Sequence, residues 1–297
     1  MPTTQFICPD GKAISMQSCL DHCRMARRCM FLPTLRAAAK SLRRSLVSAS
    51  VTELLASTRE TFLKKTVDYA VRPQSVLYAL HGQAVHFLHE GHTAGDMLAE
   101  IRLRDENTSG QFDLYGKILD NGDDGVLGDF KVTSAYKIMR ALGHYRKDVP
   151  TGEVYRTGAR KGQPKTRKEL CKDGVRHVMD WALQLNMYRL LLEEQGFAVS
   201  RMVVQAMCRD YSPRKAAECG IDETLYLIPI RKISDRWVRR YFQAKAKRLK
   251  AALASGELPP PCKKKERWND VKCRQYCAVA SCCPYAEALR KREETAS

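Results

Sequence analysis

Two aspartates and a lysine near the middle of the chain have the types and spacing of a site that binds a divalent cation. They are Asp113, Asp129 and Lys131, within the segment GQFDLYGKILDNGDDGVLGDFKV at residues 110–132. If this segment forms two adjacent strands, Asp129 and Lys131 share one face of the second strand, and the first strand can bring Asp113 alongside. Carboxylate oxygens suit Mg2+ or Mn2+, and such an ion can polarise a phosphate and lower the pKa of bound water. Lys131 could stabilise the charge that develops.

A histidine-rich segment upstream could face the same ion. In HGQAVHFLHE, residues 81–90, Gly82, His86 and Glu90 are spaced four apart. On a helix these positions lie on one face, where His86 could offer an imidazole nitrogen to a metal. Taken alone, a segment this rich in histidine is better explained by surface side chains. Its interpretation as a ligand face therefore depends on the aspartates that follow.

The elements that must position these residues are indicated by local patterns. Ser50 and Glu53 have capping-box spacing, which predicts a helix start, and a second helix is expected from about Ser75 to Glu100. The segments QFDLYGKIL and GVLGDFKV predict a hairpin, in whose turn Asp120, Asp123 and Asp124 are ordinary acids. Two further helices are predicted, one starting near Pro33 and one capped by Thr166 and Glu169 and ended by Gly196. The segments SRMVVQAMC and TLYLIPI predict strands. The segment ISDRWVRRYFQAKAKRLKAALAS predicts a basic helix.

Cysteines cluster at both ends of the chain with one repeated spacing, x10, x3 and x5. We call residues 8–29 the head and residues 262–283 the tail. Four thiolates can close a tetrahedral zinc site or hold an iron–sulfur cluster, and spacing alone does not choose between these or exclude independent free thiols. Cys282 competes with its neighbour for the fourth tail position, and Cys171, Cys208 and Cys219 are interpreted as small apolar fillers. The two predicted ligand sets are Cys8, Cys19, Cys23 and Cys29, and Cys262, Cys273, Cys277 and Cys283.

Composition restricts the class of protein. A chain of 297 residues with 44% hydrophobic and 28% charged residues is typical of a globular protein with a core. The sequence lacks a secretory signal and any run of about eighteen apolar residues, so we expect a cytoplasmic protein with no membrane partner. Disulfides are then disfavoured. The excess of 51 Lys and Arg over 33 Asp and Glu favours a polyanionic partner over the alternative of a basic but ordinary enzyme.

Four short motifs in order resemble one known group. Gly82-x3-His86-x3-Glu90, GQFDL, GDFK and Gln184-x3-Tyr188 in QLNMY are similar to the motifs of RecB-like PD-(D/E)xK exonucleases, over roughly residues 45–210. That family includes the CRISPR adaptation exonucleases and many phage recombination nucleases. The resemblance implies an α/β fold whose restriction-endonuclease-like core is a central mixed sheet flanked by helices. The expected division is a cysteine-rich metal-binding segment at 1–44, the nuclease core at 45–255 and a second cysteine-rich metal-binding segment at 256–297.

The resemblance also implies roles for the matching residues. His86, Asp113 and Asp129 would bind the divalent metal, together with the backbone carbonyl of Phe130. Lys131 would be the catalytic lysine. Gln184 and Tyr188, one helical turn apart, would hold the DNA strand, for which an amide and a phenol are suited.

Members of this family often carry a 4Fe-4S cluster with one cysteine before the nuclease core and three near the C-terminus. Here the early segment, SVTELLASTRETFLKK, has no cysteine. The tail could form a complete set, or the head could donate one thiolate to it. We expect an iron–sulfur cluster in the tail, while zinc is slightly favoured over iron–sulfur in the head.

Together these patterns predict a metal-dependent DNA exonuclease of phage or mobile-element type, acting in the cytoplasm of a bacterial host. A basic loop near Lys161 and a basic helix at 231–250 would guide the strand, unless the helix is only a solvated face. DNA is the expected partner, with a recombination or single-strand annealing protein as a further candidate. The alternatives are a noncatalytic nucleic-acid-binding protein with two cysteine modules and, less favoured, an RNA-processing enzyme.

Overall fold

The computed structural model describes residues 4–25, 27–42, 49–119, 122 and 124–295. The helices in these ranges are α1 (Met16–Asp21), α2 (Leu32–Ser41), α3 (Val51–Leu55), α4 (Thr58–Thr66), α5 (Leu77–Glu90), α6 (Ala135–Ala141), α7 (Met179–Glu194), α8 (Pro213–Cys219), α9 (Asp235–Ser255), α10 (Val271–Gln275) and α11 (Pro284–Glu294). The strands are β1 (Gln5–Ile7), β2 (Ala13–Ser15), β3 (Ala70–Val71), β4 (Leu98–Ala99), β5 (Arg102–Arg104), β6 (Ser109–Gln111), β7 (Leu114–Gly116), β8 (Val126–Thr133), β9 (Tyr145–Val154), β10 (Pro164–Cys171), β11 (Arg201–Cys208) and β12 (Leu225–Ile230).

A five-stranded mixed sheet lies at the centre, in the order β12-β11-β8-β7-β4. Strands β8 and β11 are parallel, with Asp129 opposite Val204, whereas the other neighbours are antiparallel. Since β8 and β11 run side by side in one direction, the chain must cross over between them, and helices α6 and α7 lie within that crossover. The expected α/β architecture with a mixed sheet and helices is confirmed at this level.

Helix α7 is the centre of the core. Every residue from Trp181 to Leu192 is buried, because the helix is enclosed by α3 and α9 on one side and by β5, β6, β8 and β12 on the other. A helix surrounded in this way has no face for solvent, and its buried leucines each stabilise the fold by about 1.5–3 kcal/mol. Helix α7 also contacts β8, the strand that carries Asp129 and Lys131.

Helix α9 has two unlike faces. Val238, Phe242, Ala246 and Leu249 are buried at helical spacing, and the helix packs against α4 and α7. Its other face is basic, with Arg240 and Lys247 exposed. The basic helix predicted from the sequence is thus present and begins at Asp235.

The predicted hairpin forms, with Leu114 opposite Gly128, but its first strand is shorter than expected. Strand β7 begins at Leu114, so Asp113 lies on the bend before it rather than within a strand. In the turn, Asp124 forms an exposed ion pair with Lys117 at 3.1 Å. Asp120 and Asp123 lie outside the described residues.

Two other expectations were wrong. The helix predicted from Ser75 to Glu100 ends at Glu90, and Leu98 and Ala99 instead pair with Tyr115 and Leu114 as strand β4. The glycine-containing segment GHTAGD separates the two elements. Thr166 and Glu169 do not cap a helix, because both lie in β10. In its antiparallel pairing with β9, Thr166 is opposite Pro150 and Glu169 is opposite Lys147.

Several local predictions are confirmed. Glu53 N donates to Ser50 Oγ at 3.2 Å, and Ser50 N donates to Glu53 Oε2 at 2.9 Å, which completes the capping box. Helix α2 has Pro33 in its first turn, and both predicted strands after Gly196 form as β11 and β12. The expected boundary between residues 44 and 45 lies outside the described part of the chain. Among the described helices, none is long and apolar enough to cross a bilayer.

Candidate active site

His86, Glu100 and Asp113 converge on one point. Their candidate ligand atoms all lie within 4.8 Å of one another. His86 Nδ1 is 2.9 Å from Glu100 Oε1 and 3.7 Å from Asp113 Oδ1. An imidazole nitrogen and two carboxylates at this separation form a mixed nitrogen and oxygen donor set for a divalent cation.

The three side chains face a cleft with a volume of about 530 Å³. Helix α5 contributes His86, together with Gly82 and Glu90 from the same helical face, as the spacing predicted. A Cβ atom at Gly82 would meet no atom within 4 Å, so this part of the helix faces open space. The cleft is therefore accessible to a ligand from the α5 side.

Glu100 is the site residue that sequence reasoning missed. It lies between β4 and β5 with φ of 51°, a left-handed conformation that is uncommon for residues other than glycine. Its backbone N donates to Asp113 O at 3.1 Å, and its Oε2 accepts a 2.7 Å hydrogen bond from Gln111 Nε2. The alternation in EIRLR could have indicated a strand beginning here, which would have separated Glu100 from the preceding helix.

Asp129 and Lys131 form a close pair on β8. Lys131 Nζ donates to Asp129 Oδ1 at 2.7 Å and lies 2.6 Å from Oδ2 at an angle outside hydrogen-bond geometry. Asp129 is 2% exposed, and its Oδ2 accepts no hydrogen bond from the residues that the structure describes. Period-two spacing thus placed both residues on one face, as predicted, but Asp129 is outside the group formed by His86, Glu100 and Asp113.

Asp113 connects the two sets of residues. Its Oδ2 accepts a 2.7 Å hydrogen bond from the backbone N–H of Phe130, the residue after Asp129. Burial and the negative charge of Asp129 raise the pKa of Asp113 to about 7, against the opposing charges of Lys131 and His86. Two carboxylates so close in a buried place repel each other, and a bound cation would remove that repulsion.

The ring of Phe130 holds the histidine helix against β8. Its centroid lies 4.2 Å from that of His89, in a stacked arrangement, and 6.0 Å from that of His86, edge to face. Burial and the neighbouring imidazoles His86 and His92 lower the pKa of His89. His89 is therefore a packing residue beside the site rather than the surface histidine suggested by the sequence.

Gln184 and Tyr188 meet on α7, as their spacing predicted. Gln184 Nε2 donates to Tyr188 Oη at 3.1 Å, and both side chains are buried. Burial raises the pKa of Tyr188, and the charges of Asp129 and Asp113 act in the same direction despite the opposing effect of Gln184. A Cβ at Gly110 would lie 2.5 Å from Tyr188 Cε1, so the glycine of GQFDL makes room for this ring.

The head cysteines lie close enough to affect one another. The pKa of Cys19 is raised by burial and then by the thiols of Cys8, Cys23 and Cys29. Arg28 holds the end of the head against the end of α1, since its Nη1 donates to Cys19 O at 2.8 Å and its Nη2 donates to Leu20 O at 3.2 Å.

Cys262 and Cys283 lie near Cys273, but in the described part of the chain no three cysteine thiols of the head or of the tail lie within 4.8 Å of one another. The pKa of Cys273 is raised by burial and by Cys262, Asp270 and Cys283, and burial raises the pKa of Cys277 to about 11. Cys283 is buried, whereas Cys282 Sγ lies 3.9 Å from Asp68 O. Of these two neighbours, Cys283 is the one placed beside Cys273.

The remaining cysteines are only partly the apolar fillers expected. Cys219 is buried, while Cys171 and Cys208 are half-buried, and all twelve cysteines, each in the described part of the chain, are free thiols.

Comparisons with known proteins add little to this geometry. No protein-family model and no curated protein matches the chain. Among solved structures, the crystal structure of SSO0001 matches with a TM-score of 0.43 and 14% sequence identity, over 85% of this chain and 94% of that chain. The functional argument therefore depends on the residues of the site.

Proposed function

We propose that this protein is a divalent-metal-dependent DNA exonuclease of the RecB-like PD-(D/E)xK type, which hydrolyses phosphodiester bonds. The observation that carries the proposal is the convergence of His86, Glu100 and Asp113 in a cleft, with the Asp129–Lys131 pair linked to them through the backbone of Phe130. A cation site beside a half-buried lysine is suited to a phosphate group, which is anionic and binds metal ions through its oxygens.

The donor set fits Mg2+ or Mn2+. Most of its atoms are carboxylate oxygens, and burial together with the charge of Asp129 raises the pKa of Asp113, both of which a bound cation would oppose. Asp113, His86 and Asp129 would hold the ion, with the carbonyl of Phe130 as a further ligand and Glu100 beside them. When bound, the ion would polarise the phosphate and lower the pKa of a water molecule.

Lys131 is suited to stabilise negative charge on the phosphate. Burial disfavours its ammonium form, but the carboxylates of Asp129 and Asp113 outweigh burial and raise its pKa. The side chain is therefore cationic at neutral pH, and its pairing with Asp129 fixes where the charge lies. Such a preorganised charge contributes more in a buried site than in water.

Other features support a DNA substrate. The net charge is +18, and helix α9 has exposed basic side chains at Arg240 and Lys247. The same helix carries the stacked rings of Trp237 and Tyr241, whose centroids are 5.8 Å apart. The resemblance assigns strand positioning to Gln184 and Tyr188; since both are buried and bonded to each other, they would do so by supporting the site from α7 rather than by direct contact. We further propose a bacterial cytoplasmic setting of phage or mobile-element type, with a recombination or single-strand annealing protein as a second partner.

The two cysteine clusters would act as structural modules. Four tail thiolates, Cys262, Cys273, Cys277 and Cys283, would hold an iron–sulfur cluster, and the head set would hold zinc. Both segments are short and rich in irregular backbone, so a bound metal would supply the stability that a small core cannot.

The test is cleavage of linear DNA by the Asp129→Ala and Lys131→Ala variants with Mg2+ or Mn2+. Each change should reduce the rate by about 100-fold or more, because it removes charge placed at the reacting phosphate. A matched control is available on the same hairpin, since Lys117→Ala and Asp124→Ala remove an exposed pair far less buried than Asp129–Lys131. The controls should cut at the wild-type rate.

If both variants cut DNA as fast as the wild type, the proposal is wrong and the protein is better described as a noncatalytic nucleic-acid-binding protein. End-blocked and free DNA distinguish exonuclease from endonuclease action. Competition by RNA that abolishes DNA cleavage would favour the RNA-processing alternative.

A further inference from the structure

A two-stranded arm with both faces exposed leaves the body of the protein between α6 and α7. It consists of β9 and β10 with their connecting turn, residues 145–171, and we call it the β9–β10 arm. No residue of either strand is buried, and Leu170, at the base of the arm, is the one residue of the two strands that packs against the hydrophobic core. An isolated two-stranded ribbon gains little stability in water, and its ten-residue strand β9 is therefore longer than the fold itself requires.

The arm is strongly basic, and two of its three acids are already paired with lysines. It contains eight Lys and Arg residues and three Asp and Glu residues. Lys168 Nζ binds Asp148 Oδ2 at 2.8 Å, and Lys165 Nζ binds Glu153 Oε2 at 2.9 Å. Within each of these cross-strand pairs the two charges cancel. The positive charge that remains is concentrated towards the turn, where no acid occurs between residues 154 and 164.

The tip of the arm is an ordered turn that carries three cations. Tyr155 N donates to Gln163 O at 3.0 Å and Gly162 N donates to Tyr155 O at 2.9 Å, which closes the end of the ribbon. Gly162 has φ of 83°, a conformation that favours glycine. Arg156, Arg160 and Lys161 project from this turn, and the Arg160 guanidinium lies 5.9 Å from the centre of the Tyr155 ring.

The base of the arm is connected to the lysine side of the candidate active site. Gly174 N donates to Gly143 O at 2.9 Å, which joins the two ends of the arm. Helix α6 directly follows β8, the strand of Lys131, and its Lys137 Nζ binds Asp180 in the first turn of α7 at 2.8 Å. The arm therefore leaves the body between two helices that are joined to each other next to the strand of Lys131.

We propose that the β9–β10 arm enters a groove of duplex DNA and makes double-stranded DNA the preferred substrate; this rests on the proposed nuclease function. A two-stranded ribbon fits a major groove about 12 Å wide, and cations at its tip can contact phosphates on both strands. Single strands are instead bound in concave channels lined with several aromatic rings. The arm is exposed on both faces and has two aromatic residues far apart, Tyr145 at its base and Tyr155 in its turn.

The test compares duplex and single-stranded binding by a variant that lacks the tip charges, Arg156→Ala/Arg160→Ala/Lys161→Ala. Fluorescence anisotropy with a labelled 30-base-pair duplex and the matching single strand, without added divalent cation, measures affinity without cleavage. Duplex affinity should fall about tenfold or more at physiological salt, and the slope of log K against log salt should become shallower by about two to three. Single-strand affinity should change less than about twofold.

A matched control removes the same charge elsewhere. Arg290→Ala/Lys291→Ala/Arg292→Ala lies on the exposed end of α11 and should leave duplex affinity unchanged. A second variant, in which residues 155–163 are replaced by Asn-Gly, removes the tip but keeps the β9–β10 pairing. Circular dichroism and thermal unfolding check that both arm variants are folded.

The outcomes separate the two proposals. Unchanged duplex affinity in both arm variants, or an equal loss of duplex and single-strand affinity, overturns the role of the arm even if the wild type cuts DNA. A selective loss of duplex binding supports the arm. If that loss occurs while the wild type cuts no DNA with Mg2+ or Mn2+, the nuclease proposal alone is wrong.

Discussion

The head and the tail share one cysteine spacing but are attached to the core by different kinds of contact. The head is joined by the parallel pairing of β1 with β3 and by exposed hydrogen bonds, in which Thr4 N and Oγ1 donate to the Asp68 carboxylate at 3.2 and 2.8 Å. The tail is joined through buried charge. Glu60 on α4, with a side chain 7% exposed, contacts Lys272 Nζ at 2.5 Å and Lys64 Nζ at 2.6 Å.

Further contacts fix the tail on the same side of the core. Arg59 Nε donates to Pro259 O at 2.6 Å, and Ser57 Oγ lies 2.8 Å from Cys262 Sγ. Lys245 on α9 binds Glu266 Oε1 at 3.1 Å. One ligand pattern therefore serves two structural situations. The head is held by strand pairing, exposed hydrogen bonds and the apolar packing of Cys19, and the tail is held in addition by buried charge.

The largest expected effect is the difference between ligand substitutions in the two segments. Cys273→Ser should lower the midpoint of thermal unfolding by about 10 °C or more, because losing the tail metal also weakens the contacts with α4 and α9. Cys19→Ser should lower that midpoint by only a few degrees. Calorimetry together with metal analysis of each purified variant makes the measurement, and equal shifts would show that the head is as integrated as the tail.

A smaller effect is expected when one carboxylate in each segment becomes an amide. Glu60→Gln should reduce the free energy of unfolding by about 2–4 kcal/mol, since Lys64 and Lys272 lose their shared, buried partner. Asp10→Asn is the matched control, because Asp10 pairs with Arg24 at 3.0 Å where both side chains are 30% exposed. Its cost should be below about 1 kcal/mol in urea unfolding. A control as costly as Glu60→Gln would contradict the proposed difference in attachment.

The smallest effect is the pH dependence of the tail contact. Burial would raise the pKa of Glu60, but the charges of Lys64 and Lys272 outweigh it and hold the pKa below the usual 4.5. A group with a lowered pKa in the folded state contributes stability above its unfolded pKa and loses it as the pH falls. The stability difference between wild type and Glu60→Gln should thus be constant near neutrality and shrink below about pH 4.5. Urea unfolding of both proteins from pH 7 to 3 measures it, and a difference independent of pH would argue against the buried ion pairs.

The sequence predicted those features that neighbouring residues determine. The capping box of Ser50 and Glu53, the buried stripe of α9 and the shared face of Asp129 and Lys131 all follow from short-range geometry. Gln184 and Tyr188 meet for the same reason, since one helical turn separates them. Each of these contacts joins residues at most four positions apart.

The features that the sequence did not predict depend on distant parts of the chain. Glu100 reaches the site because Leu98 and Ala99 pair with Tyr115 and Leu114 after α5 has ended, and helical periodicity carries no information about that pairing. Thr166 and Glu169 had the spacing of a helix cap, but the antiparallel partner strand β9 determines their conformation.

The charged contact between α4 and the tail also affects how the protein can be synthesised. Ribosomes complete α4 long before residues 259–272, so the surface that the tail later covers is exposed in the growing chain. On α4 that surface presents Arg59, Glu60 and Lys64. Charged side chains remain hydrated until their partners arrive, so this part of the surface does not promote the aggregation that an exposed apolar patch would.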